Sequence, residues 1–178
     1  MNAEQYITSH WRAKEVWTHL GWPRHVRRFD QICKRLIGET CIDVGCAMGH
    51  STAAMADLYP ARWFGVDLSL TAIAGARENF PNLTFFDASL MDDLIALGKF
   101  DSVVCSEVIE HVEDDALFAG TLQVMARKRL IITTPNKRVN DPGHLRVYTE
   151  DALLSLFPGA TVEIDDTFFY VTKEIDHA

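Results

Sequence analysis

Long apolar runs are missing from this chain of 178 residues, and with them any ground for a membrane span. Polar or charged residues interrupt the opening MNAEQYITSHWRAKE every few positions, so no signal peptide is expected and the chain reads as cytoplasmic. Linkers rich in Pro, Gly or Ser are absent, as are internal repeats. One domain over residues 1–178 is therefore expected, with N-terminal helices over 1–38 and an α/β core over 39–178. The four cysteines (Cys33, Cys41, Cys46 and Cys105) form no Cys-x-x-Cys pair, and at least two fall in apolar strand-like runs. Buried reduced thiols are expected, rather than a zinc site or disulfides. Positive charge is scarce too. Seventeen Lys and Arg against 25 Asp and Glu leave a formal charge of -8, which argues against a general polyanion binder, whose affinity rests on cations neutralising phosphates. The deficit is uneven, however, since residues 1–40 are net +3 and the remainder is -11, so a local basic face stays open near the N-terminus.

What is present is alternation. From Thr40 onward, short apolar runs alternate with segments of helical period, the pattern of repeated βαβ units and hence of a mostly parallel sheet covered on both faces. Strands are expected at 40–44, 62–66, 82–86, 101–105, 129–134, 160–165 and 167–173. Helices are expected at about 50–59, 69–79, 107–127 and 149–157, the last capped by Thr149 with two acids in its first turn. Residues 87–97 read as a short helix ended by Gly98 or as loop. No helix separates the last two strands, so they should form an antiparallel hairpin on an otherwise parallel, doubly wound, seven-stranded sheet. Ahead of the sheet, residues 3–20 and 24–37 read as two helices separated by Gly21-Trp22-Pro23.

CIDVGCAMGHS reads as a strand, a glycine-containing turn and a helix beginning near Gly49 or His50. Such a turn lets a ligand approach backbone closely, and the helix start offers free N–H groups. Asp67, in FGVDLS, ends the next strand about twenty residues on, a place from which a carboxylate accepts hydrogen bonds from both hydroxyls of a ribose. A nicotinamide site would want Gly-x-Gly-x-x-Gly, whereas this run is Gly45-Cys46-Ala47-Met48-Gly49. At this point the chain resembles the class I S-adenosylmethionine methyltransferases, whose acid-x-Gly-x-Gly-x-Gly turn is matched by Asp43, Gly45, Ala47 and Gly49 except at Ala47. The resemblance continues through Asp67, Asp87 in FFDAS, FDSVVCSEVIEHV, ITTPN, HLRVYTEDAL and the closing YVTK. It implies a Rossmann-like methyltransferase fold and S-adenosylmethionine as cofactor. Asp43 would face the methionine amino end, directly or through water, and Gly45, Cys46, Ala47 and Gly49 would pass beneath that moiety. Asp67, followed by Leu68, would hold the ribose, Asp87 and Ala88 would meet the adenine edge, and backbone near Ser106 the methionine amino group. His50 would be a positioning residue.

Methyl transfer from a sulfonium is an in-line displacement, so the protein supplies chiefly alignment and desolvation, and a general base only for acceptors such as hydroxyls. Glu107, His111 and His144 are the catalytic candidates, with Glu110 beside them. On a helix Glu107, Glu110 and His111 would share one face. There the chain also resembles the small-RNA 3′-end 2′-O-methyltransferases, in which a Glu-x-x-Glu-His helix and a later histidine hold a divalent metal. The same string occurs in methyltransferases of quinones and other small molecules, and no metal is assigned from the residues alone. A small-molecule or metabolite acceptor is the leading expectation; an RNA enzyme and a non-catalytic cofactor-binding module are the alternatives. Trp11, Trp17 and Trp22 read as either a lid over the acceptor or core anchors, and a homodimer through the N-terminal helices is a further expectation. Between Pro135 and Tyr148 the chain is short for an acceptor-binding cap, so the acceptor site should be open.

Overall fold

The computed structural model describes residues 19–88 and 91–175. Seven strands form one sheet: β1 (Thr40–Val44), β2 (Arg62–Asp67), β3 (Thr84–Asp87), β4 (Phe100–Ser106), β5 (Ala126–Pro135), β6 (Thr161–Ile164) and β7 (Phe168–Glu174). Their order is β3-β2-β1-β4-β5-β7-β6. The first five run parallel, and β7 pairs antiparallel with both β5 and β6, which is the expected closing hairpin. The strand order reverses between β1 and β4, so the crevice at their carboxyl ends is where an α/β sheet of this kind binds ligands.

Alternation along the central strands builds two cores. Ile42, Val44, Val103, Cys105, Leu130 and Ile132 point to one face, and Cys41, Val104 and Ile131 to the other. On the first face lie α4 (Met91–Ala96), α5 (Asp115–Met125) and α6 (Glu150–Leu156), through Leu94, Phe118, Leu122 and Leu153. The second is covered by α1 (Pro23–Cys33) and α2 (His50–Leu58), through Phe29, Ile32 and Met55. α3 (Leu70–Asn79) packs Ile73 and Ala76 against Phe85 of β3. Runs buried at every position, such as LIITT, follow from this two-sided burial. All four cysteines are free thiols, with Cys41, Cys46 and Cys105 buried.

Local chemistry sets the boundaries. Thr149 caps α6 by accepting from Ala152 N, and Ser69 caps α3 by accepting from Ala72 N, both at 3.2 Å. The larger differences from the sequence reading are four, the other bounds moving by one residue or so. The helix expected over 107–127 is instead three pieces: Glu107 with left-handed backbone (φ 61°), one 3-10 turn over Ile109–His111, and α5 from Asp115. Asp114 starts that helix afresh by accepting from Leu117 N at 2.9 Å, and β5 follows α5 directly from Ala126, three residues before the expected 129. β3 begins at Thr84, and α1 ends at Cys33 rather than 37. The weak segment holds the short helix α4. The helix expected over 3–20 lies outside the described residues except for the 3-10 turn His19–Gly21, and Trp11 and Trp17 lie outside them as well.

Candidate active site

The turn after β1 is held in place by backbone alone on one side and by Asp67 on the other. Gly45 N and Cys46 N donate to Val66 O at 2.8 and 3.1 Å. Gly45, Ala47 and Gly49 all take positive φ (84°, 47° and 81°), so three of five residues in the turn sit in the left-handed region. Ala47 N donates to Asp67 Oδ2 and Ser69 N to Asp67 Oδ1, each at 2.9 Å. The acid expected at a ribose therefore also fastens the turn to β2. Burial pushes its pKa up, and these N–H bonds act against that.

Asp43 faces α2. Its Oδ2 accepts from Ser51 Oγ at 3.0 Å and Thr52 Oγ1 at 2.7 Å, and burial pushes its pKa up to about 6. Asp67 and Asp87 are register partners on β2 and β3, and Ala88 N donates to Asp67 O at 3.1 Å, so the two acids end neighbouring strands. Asp87 pairs with Arg77 at 3.2 Å. Beside them Leu68 and Leu70 are exposed, an apolar surface that a flat base would cover. His50 meets Phe80 edge-on at 5.1 Å, and burial pushes its pKa down. Ser106 Oγ lies 2.9 Å from Thr133 Oγ1.

Val108 joins this turn to a second group of residues, since a Cβ on Gly45 would come within 2.3 Å of Val108 Cγ2. The 3-10 turn that follows places Glu110 and His111 against His144 of the post-β5 loop, with ligand-type atoms all within 4.8 Å of one another. His111 Nδ1 bonds Gly143 O at 2.9 Å; a carbonyl can only accept, so Nδ1 carries the hydrogen and Nε2 is the ring nitrogen on the other side. The two imidazoles stand edge to face at 4.6 Å. Burial pushes the His144 pKa down and His111 adds to this, favouring the neutral, metal-binding form. Glu110 is fully buried, its Oε2 accepts from Thr134 Oγ1 at 3.2 Å, and its Oε1 has no hydrogen-bond partner among the described residues. Burial pushes the Glu110 pKa far up, with Glu107 the next cause. Leu145 N donates to Glu110 O at 2.9 Å and so clamps the loop onto the turn. Against His144 lies an open pocket of about 70 Å³, walled also by Arg138, Val139 and Leu145.

Glu107 lies apart from the cluster. Its Oε2 is 3.4 Å from Arg28 Nη1, and its Oε1 accepts from Thr133 Oγ1 at 3.2 Å. Arg28 is itself buried, with its guanidinium 4.9 Å from the Phe168 ring centre and 5.2 Å from that of Phe29. The expectation that Glu107, Glu110 and His111 share one helix face is therefore corrected: Glu107 precedes the turn in a left-handed conformation and is held elsewhere.

Residues 41–128 match the family described as "Methyltransferase domain". A probable S-adenosylmethionine-dependent methyltransferase of Mycolicibacterium smegmatis is 26% identical over 154 residues, which cover 81% of this chain and 60% of that protein. Residues 41–128 are thus a methyltransferase domain, and the chain is similar to S-adenosylmethionine-dependent methyltransferases. The small RNA 2'-O-methyltransferase of Arabidopsis thaliana is 32% identical to it over 118 residues, 57% of this chain and 12% of that one. The chain spans 60% or less of the length of these curated relatives. Its fold is shared by the N-methyltransferase NodS of Bradyrhizobium japonicum in complex with S-adenosyl-l-homocysteine, with a TM-score of 0.76, 17% identity, and coverage of 99% and 100% of the two chains.

Of the residues expected at the cofactor, the β1 turn, Asp67 and Asp87 lie together at the carboxyl ends of β1, β2 and β3, and His111 meets His144 beyond β4. Sequence reasoning missed Arg28, Thr133, Thr134 and Gly143. Nothing in the pattern around Arg28 marked it, while the paired threonines of ITTPN lay inside a recognised motif and carried an unused signal.

Proposed function

We propose that this methyltransferase transfers the methyl group of S-adenosylmethionine to an oxygen of a small-molecule acceptor, with a divalent cation held by Glu110, His111 and His144 beside the acceptor hydroxyl. The observation that carries the reading is the buried, partnerless Oε1 of Glu110 within reach of two imidazoles. A buried carboxylate with an open oxygen is costly, and a cation satisfies it. Two imidazoles and one carboxylate suit Mn²⁺, Fe²⁺, Co²⁺ or Zn²⁺ better than Mg²⁺, which prefers oxygen ligands.

The residues of the crevice fit the cofactor: the Gly45–Gly49 turn would lie under the methionine moiety, Asp67 would take the ribose, and Leu68 and Asp87 the adenine side. When bound, the cofactor supplies an electrophilic methyl on sulfur, and the cation lowers the pKa of an acceptor hydroxyl. The turn aligns the methyl, the neighbouring open pocket admits the acceptor, and the acceptor's proton leaves to solvent through the pocket mouth. The chain's net negative charge favours a small acceptor; the likeness to the Arabidopsis RNA enzyme supports RNA as the second reading.

Elemental analysis of the purified protein, followed by methyl transfer to catechols, hydroxybenzoates and oligoribonucleotides before and after EDTA, tests this. Bound metal and chelator-sensitive turnover on a phenolic hydroxyl are expected. Turnover indifferent to chelation overturns the metal, and methylation of oligoribonucleotides alone puts RNA in place of the small acceptor.

A further inference from the structure

The two glutamates of SEVIEHV take their hydrogen bonds from adjacent residues of one strand. Glu107 accepts from Thr133 and Glu110 from Thr134. Successive side chains of a strand point to opposite faces of the sheet, so these two carboxylates are drawn apart, Glu107 towards the α1–α2 side and Glu110 towards the α5–α6 side. Arg28 completes the separation from α1. It is buried, ion-paired at 3.4 Å with the half-buried Glu107 and set over the rings of Phe29 and Phe168, while Glu107 N is fixed to Thr133 O at 2.9 Å in a left-handed conformation that side chains rarely adopt.

We propose that Arg28 is a positioning residue that withholds Glu107 from the Glu110–His111–His144 cluster, so that the cation is held by three protein ligands and keeps open positions for the acceptor. The inference rests on the metal reading above and deepens it. Three ligands with open positions are what a catalytic ion needs, whereas a fourth protein ligand closes a tetrahedral site. Without Arg28, Glu107 is a half-buried anion that has lost its ion-pair partner and keeps only the weaker influence of Arg24, and the bound metal becomes its substitute partner. Arg28 thus decides the ligand count.

Cobalt(II) titration of the intact protein, followed by its visible absorption, reads affinity and ligand number without a known acceptor. In the wild type and in Glu107→Gln the affinity should agree within about twofold and the spectra should coincide, while Glu110→Gln loses on the order of tenfold or more. Arg28→Met should bind cobalt roughly tenfold more tightly with a spectrum of changed ligand set, and adding Glu107→Gln to it should abolish both changes. Arg28→Lys, which keeps the charge, should restore the wild-type spectrum. If Arg28→Met does not fold, the comparison of Glu107→Gln with Glu110→Gln still decides. A loss of affinity in Glu107→Gln equal to that in Glu110→Gln overturns the inference while leaving the metal reading intact. Absence of cobalt binding by the wild type overturns both.

Discussion

A carboxylate that accepts two backbone N–H groups while lying at the end of β2, as Asp67 does from Ala47 and Ser69, is tied to the turn before any ligand arrives. Asp67→Ala should therefore weaken S-adenosylhomocysteine binding by more than the loss of a ribose contact alone. Each charged hydrogen bond is worth about 1.5–3 kcal/mol, and the orphaned Ala47 N–H adds a loosened turn. Isothermal titration beside a far-ultraviolet circular dichroism spectrum checks this; unchanged affinity in a folded variant would place the ribose elsewhere. Asp43 offers a test of a different kind. Its native pKa of about 6 lies above the ordinary 3.8, so between those values the native state holds a proton that the unfolded chain has lost. Its contribution to stability is present below that window and is lost as pH rises through it, by up to roughly 3 kcal/mol. In Asp43→Asn, which keeps an acceptor for Ser51 and Thr52, urea midpoints measured from pH 4 to pH 7 should fall less steeply than in the wild type.

At the scale of elements, the turn between β1 and α2 needs glycine at some places and tolerates other residues elsewhere. Gly49 has φ 81°, and a Cβ there would stand 2.7 Å from Phe85 Cζ, so Gly49→Ala combines a left-handed penalty with overpacking and should cost more than about 1 kcal/mol. Ala47 already sits at φ 47°. Replacing it by glycine relieves that strain but adds freedom to the unfolded chain, so Ala47→Gly should stay within about 0.5 kcal/mol of the wild type. Denaturant midpoints of the two variants make the comparison, and equal losses would mean that the turn is not packed as described. The break between the 3-10 turn and α5 belongs to this scale as well: apolar period alone runs through residues 107–127, and the stop comes from Asp114 capping a new helix.

For the whole molecule, the sheet order places the turn after β1, proposed to hold the cofactor, beside the candidate residues after β4, so ligand binding should stabilise the entire fold and not one lobe of it. Thermal unfolding with S-adenosylhomocysteine at a hundredfold its dissociation constant should show a single transition shifted by about 2.7 kcal/mol of stabilisation. Two transitions, of which only one moves, would contradict a single cooperative unit. Among the described residues no helix is long and apolar enough to cross a membrane.

The alternation of apolar runs with helical period, the turn residues Gly45 to Gly49 and the spacing to Asp67 were all legible in the sequence, because each is a local pattern with a local cause. Order along the chain likewise carried the family. Helix 107–127 was misread because burial on one face gives the same period whether or not the backbone is continuous. What only the tertiary structure decided was which side chains share space. His111 reaches His144 because the post-β5 loop is bonded back onto Glu110, across more than thirty residues. Glu107 and Glu110, three apart and alike in the sequence, part company because Thr133 and Thr134 face opposite sides of one strand and because Arg28 arrives from a helix on one side only. No spacing encodes that, since it depends on how the sheet's two faces are covered.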